Sequence, residues 1–131
     1  MPVPKSVFYK DFDILFEKHP VTRKISTLHN NEAVKRALKN LVLTNKFERA
    51  YSPDFGCDIK KRLFEPMDGT VADDIANDVE FAVANYEPRV KLIEVNVKEL
   101  RDTNRIEVTI VFRPINQNAI DSVSVFIERV R

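Results

Sequence analysis

Hydrophobic period changes abruptly at Glu87-Pro88-Arg89, and this switch constrains the fold more than any other feature. Before it, Val71, Ile75, Val79, Ala82, Val83 and Tyr86 recur at helical spacing. After it, Ile93, Val95 and Val97 alternate as in a strand. Pro88 biases Glu87 away from the α region, so the helix is expected to end at that residue. Two more alternating runs follow, Ile106-Val108-Ile110-Phe112 and Val123-Val125-Ile127. Helices first and a meander last predict an α+β domain. Two main helices should pack on one face of a small antiparallel sheet of about three to four strands.

The residues upstream fit this plan. NEAVKRALKNLVLT, residues 31–44, places Ala33, Val34, Ala37, Leu38, Leu41 and Val42 on one helical face, with Asn30 or Asn31 as cap. A Pro53-to-Gly56 turn and a short helix over Asp58–Phe64, ended by Pro66, are expected next. Thr70 can cap the second long helix, with Asp73 as capping-box partner. Asp102-Thr103-Asn104 should form a hairpin turn. Residues 1–30 read as an N-terminal arm on a 31–131 core, the whole being a single 1–131 domain. Phe8, Phe12, Leu15 and Phe16 are expected to plug into that core, since exposed aromatic surface is costly.

Composition excludes several functions. Lys plus Arg is 21 and Asp plus Glu is 20, a net charge of +1, without the cationic excess that nucleic-acid binding draws on. Gly56 and Gly69 are the only glycines, too few for a phosphate-cradling loop. No run reaches the ~20 apolar residues of a membrane helix, and the first residues lack a signal-peptide core. With Cys57 alone, no internal disulfide can form. An aqueous, cytoplasmic setting is the expectation. His19, His29 and Cys57 match no zinc spacing, so no metal or cofactor is expected, and His19 before Pro20 reads as a turn residue. Glu65, Asp68, Asp73, Asp74 and Glu87 could supply paired carboxylates for glycoside hydrolysis. Helix starts and turns explain the same acids more simply. In DSVSVFIERV, Phe126 and Val130 oppose Val123, Val125 and Ile127, so the last strand is either central or an edge open to another chain.

Several spaced motifs occur together in one order. An EAVKRALKNLVLT helix precedes FERAYSPDFGCDIKKRLFEPMD, which contains Pro53, Phe55 and Gly56 as a P-x-F-G turn and Leu63-Phe64-Glu65 as an L-F-E step. The long helix then ends in NYEPRV, and FDILFEKHPVTRKI stands near the start. Over roughly residues 12–115 the chain resembles the contractile-tail baseplate wedge family. That family comprises small phage proteins that initiate the tail sheath and their type VI secretion relatives, some of them labelled lysozymes. The resemblance implies a non-enzymatic virion component, assembled in the host bacterial cytoplasm. Its expected partners are baseplate wedge subunits and the tail sheath protein, with the tail tube as a further neighbour.

The resemblance also implies roles for residues. Glu87, Pro88 and Arg89 match the family's Glu-Pro-Arg triplet and would contact the wedge core bundle; the internal alternative pairs Arg89 with Glu65 or Asp68. Val123, Val125 and Ile127 would set the register of a strand added by the sheath. Two alternatives accompany this reading. One is a type VI secretion baseplate subunit. The other, of a different class, is a peptidoglycan hydrolase using Glu65 or Glu87.

Overall fold

A computed structural model describes residues 10–12, 15–25, 27–115 and 117–129. The chain falls into two compact units, Met1–Arg36 and Ala37–Arg131, whose boundary lies inside the first helix. In the first unit, β1 (Lys10–Phe12) and β2 (Thr27–His29) pair antiparallel, Lys10 opposite His29. His19 is a turn residue, as expected: its Nδ1 accepts from the Val21 and Thr22 amides, each at 3.3 Å. Within this unit, Phe12, Leu15 and Phe16 are 58%, 68% and 61% exposed, and Phe12 lies against Phe16 at 6.3 Å. Strands of three residues give this unit too little sheet to bury such rings. Phe8 lies outside the described residues.

Helix α1 (Asn31–Leu43) follows, and Asn30 accepts the first helical bond from Val34. In the second unit, α2 (Ile59–Arg62) and α3 (Gly69–Tyr86) precede β3 (Val90–Leu100), β4 (Arg105–Pro114) and β5 (Asp121–Glu128). The three strands form one antiparallel sheet in the order β3-β4-β5. Helix α3 buries the expected stripe of Val71, Ile75, Val79, Ala82 and Val83 and packs on β3. The cap is Asp68 instead of Thr70: its Oδ1 accepts from Val71 N at 2.9 Å, and the helix begins a residue before Thr70. Asp is at least as good a cap as Thr, and this choice adds residues to the helix. Arg62 then clamps α2 to α3, bonding Asp78 at 2.9 Å and Asp74 at 3.2 Å.

Alternation along β4 is regular, with Ile106, Val108, Ile110 and Phe112 all buried. Strand β3 departs from the simple pattern. Leu92 faces Phe112 and Glu94 faces Val111, so Ile93 is an extra residue in a β-bulge and is exposed. The bulge switches parity: Val90 and Leu92 share the inner register before it, Val95 and Val97 after it. The hairpin to β4 is as expected, closed by Asn104 in the left-handed region at φ 52°. Asn can adopt this conformation, which explains a tight turn without glycine.

Cys57 is buried beside this core, and burial pushes its thiol from the ordinary 9.0 up to about 12. A thiol pKa raised on folding stabilises the native state fully below pH 9.0 and loses that contribution as pH climbs toward 12. Stability should therefore fall by up to about 1.4 kcal/mol per pH unit in that window. Urea titrations at pH 8, 9 and 10 should show this slope in the native chain and a flatter one in Cys57→Ala.

Candidate functional site

Three features of the second unit can meet another molecule: the helix-to-strand corner, the turn beneath it, and the sheet's last strand. At the corner, Glu87 ends α3, its amide still bonded to Val83 O at 3.0 Å. Arg89 opens toward β3, and its carbonyl accepts from Ile115 N at 3.0 Å. Glu87 and Arg89 bond each other bidentately across Pro88. Nε donates to Oε1 at 2.6 Å and Nη2 to Oε2 at 2.9 Å. Glu87 is 7% exposed and the Arg89 side chain 27%, while Pro88 is exposed. Charge-assisted, parallel bonds of this kind fix orientation as well as energy. The corner is thus a stiff elbow with a carboxylate below, a guanidinium at the surface and a proline at its tip.

The P-x-F-G turn supports this elbow. Phe55 packs edge-on against Tyr86, one residue before Glu87, at 5.2 Å, and Arg49 lies over the Phe55 ring at 4.0 Å. Gly56 has φ +113°, and a Cβ there would collide with the Thr44 carbonyl. The same carbonyl accepts from Cys57 N at 2.9 Å. Pro53 contributes its carbonyl, which accepts from Phe47 N at 2.7 Å. Sequence placed these residues in a turn; the structure adds that the turn ties the end of α1 to the end of α3.

Strand β5 is an edge of the sheet, which resolves the alternative left open by its two-faced pattern. Val123, Val125 and Ile127 are buried on the inner face, Phe126 is exposed, and Val130 lies outside the described residues. All eight residues of β5 pair in unbroken register with β4. The segment Ser122–Ile127 carries no charge. By contrast, the opposite edge, β3, is bulged at Ile93 and bears Lys91, Glu94 and Lys98. Charges and bulges are how proteins block an edge against strand addition, so β3 is protected and β5 is not.

Arg129 was not singled out by sequence, yet it organises this end of the molecule. Its guanidinium donates to Leu63 O at 2.7 Å and Glu65 O at 2.6 Å, and reaches the Glu99 carboxylate at 3.5 Å. Its backbone exchanges bonds with Asn104, N–H to O at 3.0 Å and Nδ2 to Arg129 O at 2.7 Å. The L-F-E step is thereby fastened to the end of β5, with Phe64 left 80% exposed. A lone arginine after a strand carries no periodic signal; partners 64 and 66 residues away make it visible only in three dimensions.

Four of the acidic side chains are engaged in structural bonds. Asp68 caps α3, Asp74 and Asp78 hold Arg62, and Glu87 holds Arg89. Among the described residues no group of His, Cys, Asp and Glu is arranged to hold a metal ion. No helix among them is long and apolar enough to cross a membrane.

An α+β unit with a rigid charged elbow and one unprotected sheet edge, with Glu87 tied to Arg89 and Asp74 and Asp78 to Arg62, has the features of an assembly subunit. Residues 29–119 match the family model described as baseplate wedge protein gp25, and the chain belongs to that family. It is 38% identical over 84 residues to baseplate wedge protein gp25 of Enterobacteria phage T4, a match covering 64% of each chain. A Geobacter sulfurreducens protein described as a candidate tail lysozyme superposes with TM-score 0.70 at 25% identity, covering 75% of this chain and 89% of that one. A chain of the anti-feeding prophage baseplate superposes with TM-score 0.64 at 19% identity, covering 90% and 83% respectively, a likeness of fold.

Proposed function

We propose that this chain is a non-enzymatic subunit of a contractile tail baseplate, anchored to wedge subunits by its corner and nucleating sheath assembly along β5. The observation that carries the proposal is the asymmetry of the sheet edges. One edge is bulged and charged, while the other runs straight and uncharged for six residues from Ser122 to Ile127. An added strand would gain main-chain bonds there, and the register fixed by Val123, Val125 and Ile127 underneath would set its position.

Membership of a baseplate wedge family supports the anchoring role for Pro88 and Arg89. Glu87, being buried, holds Arg89 in place from below. Rigidity matters because a preorganised surface loses little side-chain entropy on binding. Such a subunit would work in the virion, at the tail baseplate, after assembly in the host cytoplasm. The same geometry would serve a type VI secretion baseplate, where the anchoring and edge roles are unchanged.

Peptidoglycan hydrolysis is the competing chemistry, favoured only by the description of the Geobacter sulfurreducens neighbour. A general acid needs a carboxyl in a cleft, available to protonate a leaving group. Glu87 is instead fully engaged by Arg89. The test is tail assembly in a host lacking this chain. Sheathed tails should return with the native chain and equally with Glu65→Gln, and neither protein should clear a cell-wall suspension. Clearing that disappears in Glu65→Gln or Glu87→Gln would overturn the non-enzymatic reading.

A further inference from the structure

We propose that the β5 edge ends in a side-chain anchor, an apolar recess that accepts one aliphatic residue of the incoming strand with an acidic residue beside it. This inference rests on β5 as the strand-docking edge. The recess, about 220 Å³, is lined by Lys60, Leu63, Phe64 and Glu128. Glu128 is the last residue of β5, so the recess lies at the end of the edge itself. Leu63 forms a buried floor and Phe64 an exposed wall.

Two observations specify the occupant. First, the recess is immobilised from behind: Arg129 bonds the carbonyls of Leu63 and Glu65 on either side of Phe64. An exposed aromatic held at both neighbouring backbone positions presents contact area with little entropy left to lose, the property of an interface hot spot. Second, the flanking charges are unequal. Glu128 is neutralised by Arg105 at 2.6 Å, while Lys60 has no ion-pair partner among the described residues. Of the two charged lining residues, Lys60 is thus the one left to meet an incoming charge, and charge complementarity favours a carboxylate next to the buried aliphatic side chain. Main-chain pairing along β5 would give affinity without much selectivity. The anchor would add selectivity, accepting strands with an aliphatic-acidic pair at one end and resisting others.

The test uses the 131-residue chain immobilised, with the purified tail sheath protein of the same contractile system as probe. Phe64→Ser should weaken binding roughly tenfold or more. Lys60→Glu should weaken it less and lose most of that difference at high salt. Neither change should move the thermal midpoint, because both side chains are exposed. The control for the edge itself is Ser122→Lys/Ser124→Lys, which charges β5 without touching the recess. Loss of binding in this control, with Phe64→Ser binding as the native chain does, would overturn the anchor and leave strand docking in place. Undiminished binding of the control would overturn strand docking, and the anchor with it.

Discussion

Replacing Arg89 with alanine is expected to destabilise the protein by about 3 kcal/mol, more than replacing Glu87. Glu87 is 7% exposed, and without the guanidinium its carboxylate would be a buried, uncompensated charge. The reverse deletion, Glu87→Ala, leaves an arginine that can turn its more exposed side chain to water, and should cost about 1–2 kcal/mol. The double variant should recover part of the Arg89→Ala loss, because it strands neither charge. Urea unfolding of the two single variants and the double variant measures all three. Equal single losses that simply add would show that the pair is not coupled as its 2.6 and 2.9 Å bonds imply.

The two glycines are expected to respond with opposite signs. Gly56→Ala must hold a side chain at φ +113° and place its Cβ against the Thr44 carbonyl, which is backbone and cannot swing aside. A loss of about 3 kcal/mol is expected, lowering the thermal midpoint by roughly 10 °C or more. Part of the effect should appear at the corner, since the turn carries Phe55, which packs on Tyr86. At Gly69, the first residue of α3, an added Cβ meets nothing within 4 Å. Gly69→Ala should therefore stabilise by about 0.5–1 kcal/mol, by reducing unfolded-state freedom in a helical position. Thermal melts of both variants, read by circular dichroism, decide the matter.

Local features of this fold were legible in the sequence because local chemistry determines them. The stripe from Val71 to Val83 and the stop at Glu87-Pro88 need only helical spacing and one proline. Non-local features were hidden. Ile93, Val95 and Val97 read as one unbroken alternation, and only pairing of Leu92 with Phe112 and Glu94 with Val111 exposes the bulge. Whether β5 is central or an edge depends on strand order, which an alternating pattern does not encode. At the corner, sequence offered Glu65 or Asp68 as internal partners for Arg89, yet the fold joins it to Glu87, two residues away across the proline. Opposite charges separated by one proline are compatible with either outcome until the backbone direction on both sides is known. The Arg129 clasp had no sequence signal at all.

If the Glu87-Pro88-Arg89 elbow is an assembly contact as proposed, tails should not build without its charges; an internal corner would leave assembly unchanged. Electron microscopy of tails built with Glu87→Ala/Arg89→Ala, the variant that removes both members of the Glu87–Arg89 pair together, tests this most directly. Circular dichroism first establishes that the variant is folded. Naked tubes, or baseplates from which this subunit is missing, are the expected result. Normally sheathed, contractile tails assembled from the folded variant would contradict it.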